Sequence, residues 1–404
     1  MKNVILFDNE VWDNLLPLTY TRPVGELRVG ILTIREKWEK WADTKVSFIT
    51  QEHLSQKYPM TIEADNIVIN GSLLPLPGIC KLIEQMEPNE ALLHNDELIA
   101  ARLNKSQFQS LIEDEEIEEL KGFPIENTPL LKINNLWDIF SKNEEAIKLD
   151  FELLTKNRTS QPLSDTNRVT TPEQIFLEPG ATVEHATLNA SKGPIYIGKD
   201  AEIMEGCLVR GPLAMNEKSI LKMGAKIYGA TTLGPFCKVG GEVNNVVFTG
   251  YSNKGHDGFL GNSVIGEWCN LGADTNASNM KNNYAEVKLW SYANQRFVKT
   301  GLQFCGLIMG DHAKCGINTM FNTGTVIGVS ANVYGGGYPR NFIPSFSWGG
   351  AQKYTTYTLE KALDTARTMM KRRDVELSQT DQEILQEIFG TDRTFRSWEK
   401  AILQ

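Results

Sequence analysis

A bulky side chain recurs at every sixth position from Ile197 to Val239 without a slip: Ile197, Ile203, Val209, Met215, Leu221, Ile227, Leu233 and Val239. Two residues ahead of each later member stands a second column, Ala201, Cys207, Leu213, Ser219, Ala225, Thr231 and Cys237. A helix repeats its apolar face every 3.6 residues and a half-buried strand every 2. Period six is neither, and Gly, Lys, Glu and Pro crowd the intervening positions, as in IYIGKDAEIMEGCLVRGP. It is the mark of a hexapeptide-repeat parallel β-helix. Each hexad there is a short strand and a turn, three hexads close one triangular coil, and the sixth-position side chain points inward onto its counterpart in the next coil. No coil can bury that column alone, so several must stack. Gly198, Gly206, Gly211, Gly224, Gly229, Gly234 and Gly240 are expected at corners that need φ > 0.

The 404 residues allow two or three domains. Residues 1–155 alternate short apolar runs (VILF, NIVING) with helix-like stretches (VGILTIREKWEKWA, SQFQSLIEDEEIEELK, NNLWDIFSKNEEAIKLDFELL), the pattern of an α/β layer fold with buried parallel strands. A polar Pro- and Thr-bearing stretch, 156–173, reads as a linker. The β-helix is expected over 174–345. Phe259, Ile265 and Leu271 resume the spacing, as do Met309, Cys315, Phe321, Ile327 and Val333. Between these lie two expected excursions, 244–258 and 277–306. Residues 346–404, helical and charged from about 356, form a C-terminal arm expected to lie on the coil or on a neighbouring subunit.

Net charge is −9, which argues against nucleic acid as a partner but leaves room for phosphorylated small molecules. No apolar run approaches membrane-spanning length, and MKNVILFDNE reads as a buried strand rather than a signal peptide, so a cytoplasmic location is expected. The six cysteines form no CxxC pair and are expected to be buried, reduced thiols.

Among five histidines, only His256 sits in a Gly-rich segment returning to the coil, GYSNKGHDGF, and imidazole is the natural general base near neutral pH. The histidines show no zinc-ligand spacing. The stretch GFLGNSVIGEWCNLGADTNASNMK (258–281), preceded by His256, resembles the acetyltransferase core of the GlmU-like bifunctional enzymes that make UDP-N-acetylglucosamine. The resemblance spans roughly 174–345 and implies a left-handed β-helix and a homotrimer with acyl-CoA sites between neighbouring coils. It implies that His256 takes a proton from the amine of an amino-sugar-1-phosphate as it attacks acetyl-CoA. It further implies that Asn270 and Asn279 orient the sugar and the amine, and that Ala273 lines the pantetheine path. The family carries Tyr at Phe259, Lys at Asn244 and Arg at Lys226. Lys keeps the charge of that Arg but not its bidentate geometry, and Lys254 or Lys281 is expected to supply the missing cation.

The N-terminal part resembles a divergent sugar-phosphate nucleotidyltransferase. LLPLTYTRPVGELRVGILTIREKW (15–38) echoes that signature through Leu16, Pro17, Leu18, Thr19, Arg22 and Pro23, and through Gly25-Glu26-Leu27-Arg28. The resemblance implies that Thr19, Arg22, Glu26 and Arg28 contact the nucleotide phosphates, with UTP and a sugar-1-phosphate as substrates and Mg²⁺ as the metal. The Gly-rich phosphate loop of the common family is absent from VILFDNEVWDN, and Ser72 stands where a strand-end Asp is usual. Asp8, which ends the first strand, is the candidate metal ligand. Two other readings stay open: a nucleotidyltransferase whose β-helix only oligomerises, and a non-catalytic sugar-nucleotide-binding scaffold.

Overall fold

Strand pairing in the computed structural model, which describes residues 3–112 and 120–400, follows the sixth-position rule coil by coil. Ile197, Met215 and Leu233 are parallel neighbours on one face, Ile203, Leu221 and Val239 on a second, and Val209, Ile227 and Val243 on a third. Each regular coil is therefore 18 residues, three hexads, and contributes one short strand to each face of a three-sided parallel solenoid. All eight sixth-position side chains are buried, as is the second column from Ala201 to Cys237. Each such side chain gains roughly 1.5–3 kcal/mol gross on leaving water.

Four of the seven corner glycines owe their place to something other than φ. Gly206, Gly224 and Gly229 have positive φ, but Gly198, Gly211, Gly234 and Gly240 do not. A Cβ on Gly234 would stand 1.9 Å from the Thr249 carbonyl oxygen, so it is close approach of the next coil that excludes a side chain there. The left-handed residue of one corner is instead Asp200, Lys218, Phe236, Tyr251, Trp268, His312, Ser330 and Phe346 in successive coils. Four of these stack in a column: ring centroids lie 4.9 Å apart for Phe236–Tyr251, 4.2 Å for Tyr251–Trp268 and 6.4 Å for Trp268–His312.

The segment 244–258 is not an excursion. Strand Glu242–Gly250 stays in parallel register with the coils on either side. What breaks the period is length: Lys254 follows Val239 on the second face after 15 residues, three fewer than a regular coil, two lost at the Gly240-Gly241 corner before Val243 and one between Val243 and Phe248. The phase slip also corrects Phe259, which is half-exposed; Leu260 is the inward residue. The later expectation does hold an excursion: between Leu271 and Cys315 the coil carries a hairpin of strands Lys288–Ser291 and Arg296–Lys299. Met309, Cys315, Phe321, Ile327 and Val333 are buried in the coil core.

By packing, the chain divides into one unit of residues 1–15, 22–27 and 32–134, and a second of 16–21, 28–31 and 135–404. The first unit is built on a six-stranded mixed sheet in the order Val46–Ile49, Asn3–Phe7, Asp65–Asn70, Glu97–Asn104, Glu90–His94, Lys121–Pro124. The first three strands are parallel and Glu97–Asn104 runs against them, so VILF and NIVING are buried parallel strands. Helix Ile34–Ala42 starts five residues later than VGILTIREKWEKWA suggests, because Thr33 and Glu36 form a capping box. Helix Lys105–Ile112 covers the first half of SQFQSLIEDEEIEELK; residues 113–119 lie outside the described residues, and Lys121 begins a strand.

In the second unit, helix Asn143–Thr155 packs Ile147 and Phe151 on Phe176, Tyr196, Ala214 and Ala230 of the coil's first face. The stretch from Arg158 to Thr170 hydrogen-bonds along the first coils, and Arg158 pairs with Glu178. The C-terminal arm, with helices Leu359–Lys371 and Gln379–Thr391, returns to its own coil. Asp392 accepts from the Ser345 amide at 2.6 Å. All six cysteines are buried and free, and burial raises their pKa values. No described helix is long and apolar enough to cross a membrane.

Candidate functional site

On the second face of the coil, the residue before each inward position points outward. Lys238, Asn253, Asn270 and Lys314 are neighbours in that column, one per coil. The corner that follows holds Lys222 in one coil, Gly255-His256 in another and Gly272-Ala273 in the next. Arg372 and Arg373, just past helix Leu359–Lys371, reach the same surface, where Arg373 donates to the Asn253 side chain at 3.2 Å. Together these groups line a cleft of about 730 Å³, with Tyr251 and Trp268 of the aromatic column in its wall. Five cationic side chains and no carboxylate line it. The crowding registers on Lys238, whose pKa is lowered by burial and then by Arg373, Lys222 and Arg372. Lys314 is pulled down to about 8 by burial, with its ammonium donating to the His312 carbonyl at 2.7 Å. Like charges held together this way favour a bound polyanion.

His256 is exposed at the rim of this cleft. It also lines a second groove of about 490 Å³ with Met204, Met223, Gly240, Gly241 and Asp274. The short Gly240-Gly241 corner forms part of its wall. The imidazole thus stands between a basic cleft and a partly apolar notch, and Lys222, Gly255 and Ala273 border both.

The structure brings His256, Asn270 and Ala273 together. Lys226, Asn244 and Phe259 lie on the third face and line neither cavity. There Lys226 and Phe259 flank Glu242 in register, and Tyr228 donates to the Glu242 carboxylate at 2.6 Å. Asn279 donates to the Asn262 side chain at 2.8 Å, and Lys281 to the Glu286 carbonyl at 2.8 Å. Lys254 cannot serve as the replacement cation for a phosphate. It occupies the inward position between Val239 and Leu271, is 1 % exposed, and donates to the carbonyls of Gly240 and His256 at 3.0 and 2.9 Å. Lys222, Lys238, Lys314, Arg372 and Arg373 were not singled out by sequence reasoning. The first three are signalled by the hexad phase, since each adjoins an inward residue of the second face; the two arginines carry no such signal.

In the first unit, Asp8 follows the central parallel strand. Its carboxylate accepts from the Val24 amide at 2.9 Å and from the Thr50 hydroxyl at 2.7 Å, and burial raises its pKa to about 7. Gly25 allows the signature loop to lie on the sheet: a Cβ there would meet Leu6 at 2.7 Å and Phe48 at 2.9 Å. Nearby strand ends carry Asn70 and Ser72, and Asn70 and Asn9 both donate to Glu97, which is also paired with Lys132. Glu26 is held by Arg35 at 2.6 Å, and Arg22 is buried. Thr19 and Arg28 pack within the second unit, where Arg28 donates to the carbonyls of Ile31 and Thr249. The residues about Asp8 do not fit a protein-built Mg²⁺ site. Both Asp8 oxygens already accept hydrogen bonds, and the described residues contain no group of three or more His, Cys, Asp or Glu side chains that could hold a metal.

Known proteins resemble the N-terminal part most directly in sequence. Residues 4–159 match the sugar nucleotidyl transferase family. Over 147 residues the chain is 31% identical to a bifunctional sugar-1-phosphate nucleotidylyltransferase/acetyltransferase of Sulfurisphaera tokodaii, a match covering 36% of each protein. The chain thus spans about a third of the curated relative it matches. Among solved structures, an Arabidopsis UDP-N-acetylglucosamine acyltransferase aligns at 14% identity over 53% of this chain and 80% of its own, with a TM-score of 0.25. The N-acyltransferase AntD from Bacillus cereus, in complex with dTDP and 3-hydroxybutyryl-CoA, aligns at 12% identity over 52% and 87%, with a TM-score of 0.23. In sequence, the segment 4–159 of this chain is similar to sugar nucleotidyl transferases.

Proposed function

We propose that the protein is a two-activity transferase acting on sugar phosphates, with acyl transfer at His256. The observation that carries this reading is the position of His256 between two cavities of opposite character. The basic cleft suits the phosphates of acetyl-CoA, with Ala273 on the path of the thioester. The notch suits an amino-sugar-1-phosphate. His256 takes a proton from the acceptor amine as the amine nitrogen attacks the thioester carbonyl; the N–C bond forms, the C–S bond breaks, and the imidazolium returns the proton to the departing sulfur so that CoA leaves as the thiol. Asn270, in the wall of the basic cleft, steadies the thioester end of acetyl-CoA, and Lys226, Asn244, Phe259, Asn279 and Lys281, outside both cavities, extend the acceptor side along the third face. His256→Ala should abolish CoA release from acetyl-CoA in the presence of amino-sugar-1-phosphates. Unchanged release would remove His256 from the reaction.

The family match of residues 4–159 supports nucleotidyl transfer from an NTP, best UTP, to a sugar-1-phosphate with release of pyrophosphate. The NTP enters as its Mg²⁺ salt, and Arg22 of the signature serves the phosphates. The two steps together fit UDP-N-acetylglucosamine synthesis by a cytoplasmic homotrimer. A second reading, a first unit that binds a sugar nucleotide without turnover, is favoured by the already bonded Asp8. A pyrophosphate-release screen over NTP and sugar-1-phosphate pairs decides between them.

A further inference from the structure

We infer that Lys254 is a positioning residue for acyl transfer: its ammonium, sealed inside the coil, ties the His256 turn to the short corner beside it. This rests on the reading of His256 given above.

The inward column of the second face runs Ile203, Leu221, Val239, Lys254, Leu271, Cys315 and Val333. Six members are aliphatic side chains or a thiol and one is a lysine, which is among the largest fully buried side chains of the protein. Burying an ammonium is costly unless its protons are taken, and here two carbonyls take them. Gly240 belongs to the shortened corner and His256 to the corner of the next coil. One ammonium therefore bridges the floor of the notch and the backbone of the proposed base. The short corner explains why a lysine is needed. With two residues removed, the turn loses the lateral support that a full corner gives elsewhere. An aliphatic side chain at 254 would fill the column but would leave both carbonyls without this donor.

The surroundings set the charge. Burial pulls the Lys254 pKa down to about 8, opposed by Asp257, Asp274 and Cys315, while Lys226 adds to the lowering. At neutral pH the tie is charged, and it weakens as the pH rises through about 8.

The test is CoA release by wild type, Lys254→Met and His256→Ala with amino-sugar-1-phosphate acceptors from pH 6.5 to 9.5. Methionine matches the length of the lysine stem and suits the coil. The expected result for Lys254→Met is kcat lower by about tenfold or more, because small displacements of a catalytic group are expensive. KM for acetyl-CoA stays within about twofold, since the cleft cations are untouched. Wild type should lose kcat as the pH rises through about 8, and Lys254→Met should lack that fall. If Lys254→Met does not fold, Lys254→Gln, which keeps a donor, is measured in its place and should show lower kcat without the alkaline fall. A folded variant with wild-type kcat and an unchanged pH profile overturns the role of Lys254. Wild-type protein that releases no CoA, or a fully active His256→Ala, overturns the reading of His256 instead.

Discussion

The Asn279 amide stands where Gly261 would carry a side chain. A Cβ on Gly261 would lie 2.5 Å from Asn279 Nδ2 and 2.7 Å from the tip of the Phe259 ring. Glycine at 261 therefore lets the amide, anchored on Asn262, and the half-exposed ring meet on the third face of the coil.

Gly261→Ala should push the Asn279 amide off Asn262. Overpacking of this kind costs about 1–3 kcal/mol. The expected outcome is a lower thermal midpoint together with a higher KM for the amino-sugar acceptor and an unchanged KM for acetyl-CoA. Equal rises in both KM values would mean that the third face does not contact the acceptor.

The coil was legible because a period of six survives wherever every coil keeps 18 residues, as it does from Ile197 to Val239. It ceased to be legible at Gly240-Gly241, where a shortened corner shifted the phase. The deletion disguised an intact coil as an excursion, made Phe259 look inward, and hid Lys254 inside the core as if it were a surface cation. His256, Asn270 and Ala273 were readable because their neighbours form a contiguous motif. The cations of the cleft were not, because Lys222, Lys238 and Lys314 come from separate coils and Arg372 and Arg373 from the arm. In the first unit, Glu97 and Lys132 reach the strand ends from distant parts of the sequence, with no local pattern to announce them.

Arg372→Ala and Arg373→Ala should each raise KM for acetyl-CoA by about 5- to 20-fold, the size expected for losing one charge-assisted contact to phosphate. kcat should change little, because neither group stands beside His256's acceptor notch. Added salt should weaken acetyl-CoA binding to wild type more than to either variant, since mobile ions screen the cations that remain. A salt dependence identical in all three proteins would place the phosphates elsewhere.

Asp8 gives the first unit a pH-dependent stability of definite sign. Burial raises its folded-state pKa to about 7, above the unfolded value near 3.8, so the folded carboxyl holds its proton where the unfolded one has lost it. Folding takes up that proton, and stability falls as the pH rises from about 4 to 7, then levels off. Asp8→Asn keeps an acceptor for the Val24 amide and has no proton to lose. It should stabilise the unit by about 2–4 kcal/mol at pH 8 and by little at pH 4. Urea titrations at the two pH values check this, and parallel pH slopes for wild type and variant would sink it.

The arm that carries Arg372 and Arg373 is held to the coil by buried polar contacts further along it. Asp392, fully buried, accepts from the Tyr20 hydroxyl at 2.9 Å and from the Ser345 amide at 2.6 Å. Arg396, also fully buried, donates to the Phe389 carbonyl at 2.8 Å and to Glu399 at 2.6 Å, with its guanidinium 4.6 Å from the Phe389 ring centroid. Removing Asp392 takes away the acceptor of the Ser345 amide and one hydrogen bond of the Tyr20 hydroxyl. A buried donor left without its acceptor costs about 1–3 kcal/mol. Because the same arm carries Arg372 and Arg373, Asp392→Ala should loosen both ends of it. Limited proteolysis should cut the arm faster, and KM for acetyl-CoA should rise alongside. Asp392→Asn, which retains an acceptor, should fall between the two proteins in both measurements. Faster proteolysis with an unchanged KM would separate the arm's docking from the cleft and confine the cation requirement to the coil lysines.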